Sequence, residues 1–175
     1  MITISIYFDE KSDNQIRNYI NAVANATGNY FMTENNVPPH ITISAFESRN
    51  EHAAREAFRE IIKDFSEGSI NWVTVGSFGQ SVIYVAPVLN EYLHNLSVKT
   101  YEVLRGKSDL KIDKKYQPFN WLPHATIGKM LTLEQQIKAF DTLQRHFVVS
   151  ESKVTKIGLA RTNPFYNLET HILQK

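Results

Sequence analysis

One pattern occurs twice and limits the folds open to this chain. Pro39-His40-Ile41-Thr42-Ile43 leads into a helical stretch and then into Val73-Thr74-Val75-Gly76. Pro123-His124-Ala125-Thr126-Ile127 leads into a second helical stretch and then into Val154-Thr155-Lys156-Ile157-Gly158. The histidines stand 84 positions apart and the valines 81, so the halves stay nearly in phase across strand, helix and strand. The reading is a single domain over residues 1–175, made of two pseudo-symmetric α+β lobes. A solenoid would need at least three such units.

Periodicity fills in the elements. Ile2, Ile4, Ile6 and Phe8 alternate with Thr3, Ser5 and Tyr7, which predicts a half-buried strand. Ser12 to Gln15 has the form of a capping box opening a helix that Gly28 ends. After a polar loop, His40 to Phe46 reads as a strand. Ser48 to Glu51 is a second capping box, ahead of a helix with Ala54, Ala57, Phe58 and Ile61 on one face. Strands are predicted at Ile70–Phe78 and Val82–Val85, joined at Gly79-Gln80-Ser81. A helix over Asn90–Arg105 carries Leu89, Leu93, Leu96 and Leu104. A basic loop follows from Gly106 to Trp121. Then come a strand over His124–Lys129, a capping box at Thr132–Gln135 and a helix to His146. The last strands lie near Lys153–Arg161 and Asn167–Leu173, joined at Thr162-Asn163-Pro164.

Composition narrows the chemistry. The net charge is +1, so no global field draws in a long polyanion, and contact with nucleic acid is expected to be local. With 175 residues the chain can remove roughly two thirds of its unfolded surface from water. It has no cysteine, which excludes disulfides, thiol catalysis and thiolate metal sites. The N-terminal Met1-Ile2-Thr3-Ile4-Ser5-Ile6 lacks the basic and long apolar stretches of a signal peptide, and no segment reaches membrane-span length. A cytoplasmic monomer is expected.

The repeated pattern also carries chemistry. Alternate residues of a strand share a face, so His40 sides with Thr42 and His124 with Thr126. Ile41, Ile43, Ala125 and Ile127 point to the helices. If the lobes face each other, two imidazoles and two hydroxyls line one cleft. That set suits attack on a phosphodiester. One imidazole takes a proton from the attacking oxygen, and the other protonates the departing one. Thr42 and Thr126 can donate to the non-bridging oxygens. No metal is required. About 0.4 His-x-Thr matches arise by chance in such a chain, and roughly 0.01 with a preceding proline.

The two Pro-His-x-Thr-Ile segments resemble those of the two-histidine phosphoesterase superfamily, which includes the 2'-5' RNA ligase-like proteins and cyclic phosphodiesterases. The resemblance extends over nearly the whole chain in element order and length. It implies two antiparallel β-sheets facing a central cleft, with helices outside. It implies metal-independent hydrolysis of 2',3'-cyclic phosphates or 2'-5' linkages, with no cofactor and with a nucleotide or short RNA end as substrate. Carried over, His40 and His124 are acid and base, and Thr42 and Thr126 hold the phosphate. Many relatives have Arg or Lys where Lys129 stands here. An unbroken strand would turn Lys129 away from His124, and a bulge would bring it back.

Further candidates are weaker. Phe119, Trp121, Phe165 and Tyr166 could stack on a base, although core packing accounts for each. Arg161 could meet a phosphate. Lys111, Lys114 and Lys115 could guide an RNA end or simply be solvated. His52, His94, His146 and His171 lack metal-ligand spacing, and no Gly-x-Ser-x-Gly elbow supports Ser-His-Asp catalysis. Two other functions remain: a binding module for a nucleotide or RNA end without turnover, and histidines satisfied inside a core.

Overall fold

A computed structural model describes residues 1–162 and 164–175. The chain runs β1 (Ile2–Phe8), α1 (Glu10–Thr27), α2 (Phe31–Glu34), β2 (Ile41–Ser48), α3 (Glu51–Ile61), β3 (Gly68–Phe78), β4 (Val82–Pro87), α4 (Glu91–Arg105), β5 (Leu110–Ile112), β6 (Ala125–Lys129), α5 (Leu133–His146), β7 (Ser150–Arg161) and β8 (Tyr166–Ile172). This is the expected mixture of helices and antiparallel strands.

The strands join in one hydrogen-bonded network, in the order β5-β2-β1-β7-β3-β4-β6, with β8 also on β7. The two sheets implied by the resemblance are thus two arms of one sheet. The reason is the length of β7. Its residues Val154–Arg161 pair with β1, while Ser150–Val154 pair with β3. β8 follows β3 along the edge of β7 opposite β1. One arm therefore holds β2, which follows His40, and the other holds β6, which follows His124.

The core lies between this sheet and the helices. Ile4, Ile6, Ile41, Ile43, Ile83, Ala125, Ile127 and Ile157 are at most 1% exposed and meet Ile16, Val23, Phe58, Leu93 and Leu96 from the helices. Fully burying one such side chain contributes about 1.5–3 kcal/mol. α1 packs on α5 and β6, and α3 and α4 pack on each other and on β2. Among the described residues, no helix is long and apolar enough to cross a membrane.

Several expected boundaries move. α1 starts at Glu10, and its cap is Asp9, whose carboxylate accepts from the Ser12 amide at 3.1 Å. Ser12 is buried instead of capping. Asn50, not Ser48, caps α3 by accepting from the His52 and Ala53 amides. The Thr132–Gln135 capping box is present as read. The polar loop contains the short α2. The basic loop contains β5, which pairs with the end of β2. Leu89 lies before α4 and is 47% exposed, outside the apolar stripe. Of the last turn, Asn163 lies outside the described residues.

Candidate active site

His40 and His124 each sit one residue before a strand and are half-buried. Pro39 and Pro123, just ahead of them, are buried and restrict the approaching backbone to extended conformations. His40 Nδ1 lies 2.7 Å from the Pro38 carbonyl oxygen, and His124 Nδ1 lies 2.8 Å from the Leu122 carbonyl oxygen. A carbonyl only accepts, so in each ring Nδ1 carries the proton. Nε2 is then the nitrogen free to take or give one.

The register orients the motif residues. Ser5 pairs with Thr42, and the register shift beside it leaves Ile43 as an extra residue on β2. Ile43 and Ser44 both turn inward, at 1% exposure each. Thr42 and, by extension, His40 face away from the core beside Ser5 and Tyr7. On β6 the same irregularity leaves Ile127 as the extra residue, because Tyr84 pairs with Thr126 while Ile83 pairs with Gly128. Thr126 thus faces Tyr84, and Lys129 faces Val82. Val82 and Tyr84 share a face, so the bulge returns Lys129 to the side of Thr126. The Lys129 ammonium lies 5.8 Å from the centre of the Phe31 ring.

The two motifs are brought together. Trp121 Nε1 donates to the Thr42 carbonyl at 2.9 Å, tying the segment before His124 to the strand after His40. Protonation of His40 is held below the usual histidine range by burial first, and His124 opposes a second charge there. Burial likewise lowers His124. Each backbone contact at Nδ1 works in the opposite direction.

Aromatic rings with no signal in the sequence motifs wall both imidazoles. The Tyr7 ring lies 6.2 Å from that of His40. Phe78 meets His124 edge-on at 4.8 Å, and Tyr84 lies 5.3 Å away. Tyr7 and Tyr84 occupy ordinary strand positions, and they are marked only by being large at a parity that faces away from the core. Beside Tyr7 opens a groove of about 470 Å3, bounded also by Pro38, Lys156, Phe165, Asn167 and Thr170, with Glu10, Asp13 and Arg17 further along.

The remaining candidates fall elsewhere. Trp121 is 8% exposed and serves the core and the Thr42 contact, so its indole is not open for stacking. Phe119 is 88% exposed at a positive φ of 69° and lies near His94 on α4. Tyr166 is exposed on β8 opposite Arg161. Arg161 is engaged by Glu51, which also binds Arg55 at 2.9 Å. Phe165 borders the groove. Lys111, Lys114 and Lys115 are exposed on β5 and the 3-10 turn after it. His52 approaches Glu56, and His146 Nδ1 reaches the Thr142 carbonyl. Among the described residues, no three His, Asp or Glu side chains gather where they could hold a metal ion.

Comparison with known proteins places this arrangement. The family model of the 2'-5' RNA ligase superfamily matches residues 12–164. The chain belongs to that superfamily. Solved structures with the same fold agree, although their sequences are distant. E. coli LigT, in a crystal structure with 3'-AMP, aligns over 99% of this chain and 98% of its own, at 11% identity and a TM-score of 0.64. A crystal structure of a phosphoesterase aligns over the same shares, at 11% identity and a TM-score of 0.66. The MHV ns2 PDE domain aligns over 99% and 97%, at 16% identity and a TM-score of 0.51. No curated protein matches the sequence significantly. Within the 2'-5' RNA ligase superfamily frame, both histidines of this chain stand at strand entrances on the side of the sheet away from the core.

Proposed function

We propose that this chain is a metal-independent phosphodiesterase that opens 2',3'-cyclic phosphates, or cuts 2'-5' linkages, at nucleotides or short RNA ends. One observation carries the reading. Two half-buried imidazoles, each with Nδ1 tied to a carbonyl two residues earlier, present free Nε2 atoms within one another's electrostatic reach. Neutral Nε2 of one ring removes a proton from water as its oxygen attacks phosphorus. The protonated Nε2 of the other gives its proton to the departing sugar oxygen. Water is thereby added across one P–O bond. Thr42 and Thr126 donate to the non-bridging oxygens as their charge grows. Lys129, on the same side as Thr126, adds positive charge nearby. The groove beside Tyr7 and Phe165 takes the nucleoside. Binding of 3'-AMP by E. coli LigT is consistent with a nucleotide ligand.

The test is incubation with 2',3'-cyclic nucleotides in excess EDTA, followed by phosphorus NMR. His40→Ala and His124→Ala should each lower kcat by about a hundredfold to ten-thousandfold. Should the wild type turn over neither cyclic nucleotides nor 2'-5' oligonucleotides, yet bind them, the chain is a binding module.

A further inference from the structure

The repeat in the sequence includes two glycines that play no part in the chemistry above. They are Gly76, after Val73-Thr74-Val75, and Gly158, after Val154-Thr155-Lys156-Ile157. Neither has the positive φ that would demand glycine, unlike Gly28 and Gly79. What each lacks is room. A Cβ on Gly76 would come within 2.5 Å of the Tyr84 ring, and a Cβ on Gly158 within 2.9 Å of the Tyr7 ring. Real Cβ atoms do not approach that closely, so each glycine lets a tyrosine lie flat on its neighbouring strand. The pairing crosses the repeat. The glycine that follows the His40 motif seats the tyrosine beside His124. The glycine that follows the His124 motif seats the tyrosine beside His40.

We propose that Gly76 and Gly158 seat Tyr84 and Tyr7 as walls for His124 and His40, which makes the two tyrosines positioning residues of the site. The proposal rests on the two-histidine reading above. Each ring fills the volume into which the imidazole would otherwise swing, and it keeps water from one side of that imidazole. The ring does this work, not the hydroxyl. At His124, Phe78 supplies a second wall at 4.8 Å. Of the charged and titratable groups, Lys156 lies opposite Tyr7 in the sheet, Glu10, Asp13 and Arg17 border the same groove as Tyr7, Lys129 shares the Thr126 side, and His124 acts electrostatically on His40.

Gly68 provides an internal control. A Cβ there would come within 2.4 Å of Tyr92, but that tyrosine lies on α4, on the core side of the sheet, away from both histidines. Gly68→Ala should therefore disturb packing without changing either histidine's titration.

The experiment is a double-mutant cycle with two readouts: imidazole titration by NMR, and kcat and KM on a 2',3'-cyclic nucleotide. Tyr7→Ala should raise the His40 midpoint toward the ordinary 6.5 and lower kcat by about tenfold to a hundredfold, with a rise in KM as well because Tyr7 borders the groove. Tyr7→Phe should resemble the wild type in both. Gly158→Ala should reproduce Tyr7→Ala, and adding it to Tyr7→Ala should cost only the small adjustment of the Glu169 carbonyl, 3.3 Å from that Cβ. If Gly158→Ala alone folds poorly, Tyr7→Ala should rescue it. The Gly76 and Tyr84 pair should behave the same way toward His124. Equal damage from Gly158→Ala with and without Tyr7, loss in Tyr7→Phe, or unmoved histidine midpoints would each overturn the proposal. The titration stands without any turnover, so failure of the phosphodiesterase reading shows separately.

Discussion

A carbonyl oxygen two residues upstream decides what each histidine can offer. With Nδ1 held by Pro38 or Leu122, a rotation about the ring axis is blocked and only Nε2 is left free. Burial lowers both imidazoles, so both are predominantly neutral at pH 7 and the protonated acid is the scarcer form. The kcat/KM profile should be a bell with its maximum below pH 6.5, falling above it as the acid deprotonates and below it as the base protonates. A plateau at alkaline pH would contradict this assignment. The same shifts bear on folding. A histidine whose folded midpoint is depressed contributes stability that is present above the ordinary value of 6.5 and lost as pH falls from there through the lower folded midpoint. In urea titrations, His40→Gln should lose less stability than the wild type between about pH 7 and pH 5. Tyr7 cannot serve as an alternative base, because burial pushes its phenol up to about 12. Arg161, engaged by Glu51, should be dispensable for substrate: Arg161→Ala should leave KM unchanged.

At the scale of elements, small polar residues set where helices begin, and bulges set which way strands aim. Asp9, Asn50 and Thr132 each satisfy amides of a first helical turn, and loss of such a cap costs about 1 kcal/mol. Asp9→Ala should therefore destabilise the protein by that amount in denaturant titrations. Thr132 is legible in the sequence because its capping box is complete, with Gln135 returning the bond to the Thr132 amide. The starts of α1 and α3 are not, because Ser12 and Ser48 also fit a cap pattern, and only the local backbone decides among adjacent candidates. Bulges are less visible still. Nothing in Ile41 to Phe46 or Ala125 to Lys129 announces an extra residue, yet the one at Ile127 decides that Lys129 lies with Thr126.

At the scale of the molecule, β7 is the shared element. It pairs with β1, β3 and β8, and its Val154, Ile157 and Leu159 are completely buried. Neither arm of the sheet is complete without it. Unfolding should be a single transition monitored alike by Trp72, on β3 in one arm, and by Trp121, whose indole bonds to Thr42 on β2 in the other. Ile157→Ala should cost about 2–5 kcal/mol and lower that single midpoint instead of separating it into two. Two resolved transitions would mean that the arms fold apart.

The sequence by itself determined the longer helices and strands and the pair of motifs, but not the short α2 and β5. Alternation and helical spacing are local consequences of which side chains leave water, and a pattern of proline, histidine, threonine and isoleucine repeated in phase is local as well. Tertiary structure alone decided the rest. The electrostatic reach of His124 to His40, the tyrosine accommodated by a distant glycine, the burial of Trp121, the occupation of Arg161 by Glu51 and the joining of two arms through β7 all depend on residues far apart in the chain. Such contacts follow from strand register and packing, where one extra residue reverses a side chain's direction, and no local pattern records that choice.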